Sequence, residues 1–320
     1  MTSWRFYDRF TRSSLVPAKS MIEQIVDAHH HLWNLSKIHY PWLMARGVAR
    51  FFGDPTPIQH DYLVADFLDD VGDLPVTSSV HIQVGADSSD SIAETQWLQS
   101  EAQRTPLGLP NAIVAFCDLA DGDAEKVLDA QAESGNLRGI RQIVGRSPAE
   151  DAKSGSGALL DDPIWIDNLA RLPSRQLSFD LQLLPAQLPA VSKVLARIPD
   201  LRVALCHCGS PHDQSENGLA SWRSNLARFA ELPNVYCKLS GFSMFEQNWD
   251  AERVRKTALT AIDIFGVDRC MFGSNFPVEK LYVSYKTLYS SYLDIAAEFS
   301  ESEQRNLLAD TARRFYRISD

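Results

Sequence analysis

The chain has 320 residues, of which 45% are hydrophobic, 22% charged and 10% aromatic, a globular composition that excludes a disordered or collagen-like protein. Its 31 basic and 41 acidic residues leave a formal net charge of -10, which argues against a fold-wide nucleic-acid surface. No apolar run approaches the ~20 residues of a membrane-spanning helix, and the length suits one large α/β domain or two medium ones.

Residues 1–20 carry Arg5, Arg9, Arg12 and Lys19 against Asp8. Their basic, Ser/Thr-containing character weakly resembles a transit peptide. No apolar segment of signal-peptide length follows, so we read them as a surface extension and start the domain at residue 21. Strands are expected at 24–28, 79–84, 112–117, 137–143, 177–181, 202–206, 235–239 and 269–272. Helices are expected between and after them, at 91–103, 124–132, 164–172, 189–197, 221–230, 251–265, 284–299 and 302–314. Asp162-Pro163 gives one of these a cap and an N1 proline, and Ser300-Glu301-Ser302-Glu303 gives the last a capping box.

Eight strands alternating with helices fit a (β/α)8 TIM barrel spanning residues 21–320. A doubly wound sheet also alternates, but no GxGxxG follows the first strand and no GxxxxGK[ST] occurs. Residues 32–74, with Tyr40-Pro41-Trp42, read as an elaborated first βα loop able to cover the C-terminal mouth. The five cysteines, Cys117, Cys206, Cys208, Cys237 and Cys270, lie in apolar runs without a CxxC pair. We read them as reduced core thiols of a cytoplasmic protein. A Cys206–His207–Cys208 metal site is disfavoured, because strand alternation would put His207 on the opposite face from both thiols.

The first strand ends in His29-His30-His31, and alternation places His29 and His31 on one face. His207 ends the sixth strand. Three imidazoles from two strand ends would supply a three-ligand metal site with a position left for water or substrate. Gln83, Arg141, Gln182 and Lys238 also fall at strand ends, where Arg141 and Lys238 can meet a carboxylate or oxyanion. For these two cations the alternative is an internal ion pair with Asp118 or Asp180. Trp42, Trp222 and Arg223 are candidate pocket residues, the last two with an ordinary helix start as the alternative. Gly273 and Pro277 punctuate the exit of the eighth strand, which should send Asn275 into the mouth.

The segments IVDAHHHLW, YPWL, SVHIQVGAD with ETQWL, RGIRQIV, SFDLQ, ALCHCGSP, VYCKLSGF and RCMFGSNFPV occur in that order. Together they resemble the amidohydrolase-related (amidohydrolase 2) branch of the amidohydrolase superfamily, which includes 2-pyrone-4,6-dicarboxylate lactonase and sugar-lactone hydrolases. The resemblance covers about residues 22–317. It implies a (β/α)8 barrel with His29 and His31 matching the first-strand HxH and His207 the sixth-strand histidine. The bridging lysine and fifth-strand histidine of two-metal members are absent, which implies at most one metal. Zinc is the expected divalent ion, and metal-free catalysis is the alternative. The family's usual strand-eight aspartate is replaced by Asn275, which cannot act as a general base near neutral pH. His207, Asp213, His212 and Glu279 are the candidates for that role.

The expected function is hydrolysis of a small anionic or cyclic substrate, a lactone or related cyclic ester, with Asn275 positioning the nucleophile. A metal-dependent decarboxylase of a carboxylated ring and a non-catalytic ligand-binding barrel are the alternatives. No nucleic acid or membrane is expected as partner, and homo-oligomerisation is left open.

Overall fold

The computed structural model describes residues 22–319, so the extension expected at residues 1–20 lies outside the described residues. Eight strands run in parallel and pair in chain order. They are β1 (Ile25–His30), β2 (Val76–Ile82), β3 (Ala112–Ala115), β4 (Leu137–Ile143), β5 (Ser178–Gln182), β6 (Val203–Leu205), β7 (Val235–Leu239) and β8 (Cys270–Phe272). At the C-terminal end Asn275 N donates to His29 O (2.6 Å) and His31 N to Phe276 O (2.7 Å), drawing the exit of β8 onto β1. The fold is a (β/α)8 barrel.

The helices are α1 (Pro41–Met44), α2 (Val64–Val71), α3 (Ser91–Arg104), α4 (Ala124–Gln131), α5 (Pro148–Ser154), α6 (Pro163–Leu169), α7 (Leu188–Leu195), α8 (Glu216–Phe229), α9 (Ala251–Phe265), α10 (Tyr285–Ala296), α11 (Glu301–Arg305) and α12 (Thr311–Tyr316). The caps are those the sequence indicates. Asp162 accepts from Ile164 N and Trp165 N, and Ser300 with Glu303 forms a capping box. A π turn, Asn306–Asp310, joins α11 to α12, so the final helix is not regular α throughout.

Two apolar layers hold the barrel. The larger packs the outer faces of the strands against the helices. The smaller fills the interior with Val26, Ala28, Val80, Ile82, Ala112, Val114, Ala204 and Met271, closed from below by Phe315 and Tyr316 of α12. Spacing of two along β1, β2 and β3 puts these side chains inward. The register of β1 shifts between Asp27 and His30. That irregularity lets Ala28 face the apolar interior while the next residue, His29, reaches the mouth.

Candidate active site

At the C-terminal end of the barrel lies a cavity of about 270 Å3. Its floor carries His31, Arg141, Gln182, His207 and Asn275, and its far wall carries Trp33, Trp42, Phe51, Phe52, Met244 and Val278. Four of the wall residues, Trp33, Trp42, Phe51 and Phe52, come from the long first loop. Arg50 of that loop binds Glu150 of α5 through two hydrogen bonds (3.1 and 2.6 Å). Tyr282 Oη donates to Phe52 O (2.6 Å), and Trp42 Nε1 to Val84 O (2.7 Å). The loop is thereby laid over the mouth and tied to the exits of β2, β4 and β8.

Three histidine rings meet at the floor. The His29 centroid lies 5.1 Å from that of His31 and 4.6 Å from that of His207. Both ring nitrogens of His29 are buried without a hydrogen-bond partner, an arrangement that usually signals an absent ligand or water. His31 Nδ1 donates to Ile82 O (2.8 Å), and His207 Nδ1 lies 3.0 Å from Ser240 Oγ. Such anchoring of one ring nitrogen commonly orients the other toward a metal. Burial, joined by the positive charges of Arg141 and Lys238, holds all three imidazoles below their usual range, that of His31 down to about 3. They are neutral donors at pH 7. Among the described residues no three His, Cys, Asp or Glu side chains already stand in a metal-holding geometry.

His207 does not sit on β6. The strand ends at Leu205, and residues 207–210 all take left-handed backbone, with His207 at φ 55° and Cys208 at φ 53°. A non-glycine residue pays about 1–2 kcal/mol for that conformation, and here the turn aims the imidazole inward. The thiols beside it play no part. All five cysteines are buried and free, and burial pushes Cys206 up to about 12.

Arg141 is held by the walls it joins. Its Nη2 donates to Gln83 O (2.5 Å) and its Nη1 to Gln182 Oε1 (3.2 Å), while its Nε is buried without a partner. Asn275 Oδ1 lies 3.2 Å from His31 Nε2. Glu279, one turn later, is fully buried and accepts from Ser243 N (3.2 Å). Burial pushes its carboxyl up to about 7.

The remaining candidates lie elsewhere. Lys238 is fully buried and pairs with Asp180 at 2.5 Å, and Tyr316 also donates to that carboxylate (2.8 Å). It is spent on the internal ion pair below the floor. Gln83 turns its side-chain oxygen to Gly85 N (2.6 Å), so only its carbonyl serves the site, through Arg141. Trp222 is buried, with Nε1 donating to Cys208 O (2.7 Å), and braces the left-handed turn from behind. Arg223 is exposed on α8. Asp213 is exposed and accepts from Ser215 N (3.0 Å) in the local turn, and His212 is half-buried outside the cavity lining. Of the proposed bases, only His207 lines the floor, and Glu279 is buried behind Asn275.

Several lining residues escaped the sequence reading, among them Arg146, Trp33, Phe51, Phe52, Met244 and Val278. Arg146 is half-buried with Nε unpartnered. Its one sequence signal is a cation placed directly after Gly145 at the exit of β4.

Comparison with known proteins adds four findings. A family model described as "Amidohydrolase" matches residues 26–318. An uncharacterized protein of Sinorhizobium fredii, y4mH, is 37% identical over 92% of this chain and 98% of its own length. L-fucono-1,5-lactonase of Burkholderia multivorans is 29% identical over 92% of this chain and 96% of its own length. Among solved structures, a Burkholderia multivorans amidohydrolase with bound Zn superposes with a TM-score of 0.78 at 26% identity, covering 92% of this chain and all of that one (100%).

Proposed function

The chain belongs to the amidohydrolase family, and from that premise we propose that it opens a small lactone bearing an anionic group, using one divalent ion held by His29, His31 and His207. The observation that carries this is the buried, doubly unpartnered imidazole of His29 beside two anchored, neutral imidazoles and the Arg141 guanidinium. The donor set suits zinc: nitrogen ligands, three of them, with room at the cavity side. The zinc-bearing neighbour and the lactonase relative support the same choice. When bound, the ion supplies Lewis acidity and lowers the pKa of water.

The chain's own side chains do the rest. Arg141 and Gln182 hold an anionic group of the substrate by charge-assisted and amide hydrogen bonds. Trp33, Trp42, Phe51 and Phe52 stack against the ring and exclude bulk water. Asn275 orients the nucleophile without taking its proton, and the buried Glu279 carboxyl stands behind it. Arg146 adds a second positive charge at the mouth. A panel of neutral and carboxylated lactones, followed by acid release with an indicator dye, tests the reading. Turnover of carboxylated lactones is expected. Carbon dioxide release from carboxylated rings without lactone opening would replace it with decarboxylation.

A further inference from the structure

Asn275 and Glu279 form a buried pair. Asn275 has a left-handed backbone, φ 56°; its buried Nδ2 faces the Glu279 carboxyl without a well-formed hydrogen bond, while Oδ1 faces His31 Nε2 at 3.2 Å. The other nitrogen of that ring, Nδ1, lies 2.8 Å from the Ile82 carbonyl. A carbonyl only accepts, so Nδ1 carries the proton and Nε2 the lone pair. A lone pair facing an amide oxygen repels it. The two ends of a carboxamide are alike in shape, and hydrogen bonding chooses between them. Turned end for end, Nδ2 donates to His31 Nε2, and the oxygen faces Glu279, which must then keep its proton to donate.

We propose that Glu279 is a positioning residue: by keeping or releasing its proton it decides which end of the Asn275 carboxamide faces His31, and so whether the Nε2 lone pair is covered or free. With Nε2 free of metal, a protonated Glu279 donates to Asn275 Oδ1 and Nδ2 covers Nε2. When a divalent ion takes the lone pair, Nδ2 loses its acceptor. The carboxamide then turns, Nδ2 donates to the Glu279 carboxylate, and the carboxyl proton passes to solvent. One proton leaves for each ion bound, and nothing is oxidised or reduced.

The surroundings of Glu279 permit both forms. Its carboxylate accepts the Ser243 N–H (3.2 and 3.3 Å). The charged and titratable groups facing it are Arg253 of α9, Tyr282 of its own turn and Tyr292 of α10. Arg253 is turned to Asp250 (3.8 Å), and among the described residues no ion pair fixes the Glu279 charge. Burial raises its carboxyl to about 7, where either form is accessible at neutral pH.

The proposal rests on the three-histidine reading, but its test needs no lactone. Zinc chloride is titrated into the chelator-treated full chain in weak buffer at about pH 6.5, and released protons are counted for wild type and Glu279→Gln. Deprotonation of zinc-bound water is common to both and cancels. Wild type is expected to release up to about one proton per zinc more than the variant, whose side-chain amide cannot lose one. Equal release from the two proteins, or no zinc uptake by wild type, overturns it. Should Glu279→Gln fail to fold, infrared difference spectra of wild type decide. The protonated-carboxyl stretch must shrink on zinc addition, and an unchanged band overturns the proposal.

Discussion

His207 owes its position to a neighbour without a side chain. A Cβ placed on Gly241 would lie 2.4 Å from His207 Nδ1, and Gly241 itself has φ 67°. Gly241→Ala is therefore expected to displace the imidazole from Ser240 and to strain the turn. A roughly hundredfold loss of kcat should follow, the scale of an ångström-sized misplacement, with about 1–2 kcal/mol of stability lost to the backbone. Lactone turnover and urea titration measure the two effects, and full activity in Gly241→Ala would remove His207 from the site. Arg141→Met tests substrate charge. Loss of a charge-assisted contact costs about 1.5–3 kcal/mol, so kcat/KM for carboxylated lactones should fall roughly tenfold to a hundredfold. Neutral lactones should change less, and an equal loss on both would assign Arg141 to the frame alone.

The elements were readable to different depths. β4 and β7 fall at 137–143 and 235–239, as their β-branched and apolar runs indicate. β6 is shorter than expected, Val203–Leu205, because the chain leaves it into left-handed turns that hydropathy does not encode. The alternation that set His207 against its neighbouring cysteines therefore does not apply, although the thiols stay out of the cavity lining, turned to the carbonyls of Ala204 and Lys238. Pairing of His29 with His31 was legible from the two-residue spacing. Lys238 was ambiguous because a strand-end position does not say whether a cation points up to the mouth or down to Asp180. The contacts that seat the first loop, such as Arg50 with Glu150 a hundred residues away, depend on long-range complementarity and leave no local pattern. The closure of β8 on β1 has a sharper requirement. A Cβ on Gly273 would stand 2.7 Å from both His29 N and His29 Cβ. Backbone cannot swing aside, so Gly273→Ala should force the strands apart and cost about 3 kcal/mol in urea titration. Wild-type stability in that variant would show the seam is slack.

For the whole molecule, burial of titratable groups dictates how stability follows pH. His29, His30, His31, His81 and His207 are all held below their usual range by burial. A lowered histidine contributes stability that is present above its unfolded value of about 6.5 and is lost as pH falls below it. Asp27, Glu94 and Glu279 are raised by burial, to about 6, 7 and 7. Their contribution runs oppositely, full below about pH 4 and lost as pH rises through 6 to 7. Each unmatched proton changes stability by about 1.4 kcal/mol per pH unit. With five histidines against three carboxyls, stability of the metal-free protein should climb from pH 5 to about pH 6.5 and then flatten. Urea midpoints across that range check it, and a midpoint that falls between pH 5 and 6.5 would mean the histidines are not buried neutral.

The same neutral imidazoles are what a single divalent ion would bind, and that is the claim on which the account depends. The direct measurement is lactone opening by chelator-treated protein as zinc is added back in known amounts. A one-ion site predicts little turnover without metal, a rise that levels off at about one equivalent, and no such rise in His29→Ala. Full activity in the stripped protein, or a plateau only at two equivalents, would contradict a one-ion site built from His29, His31 and His207.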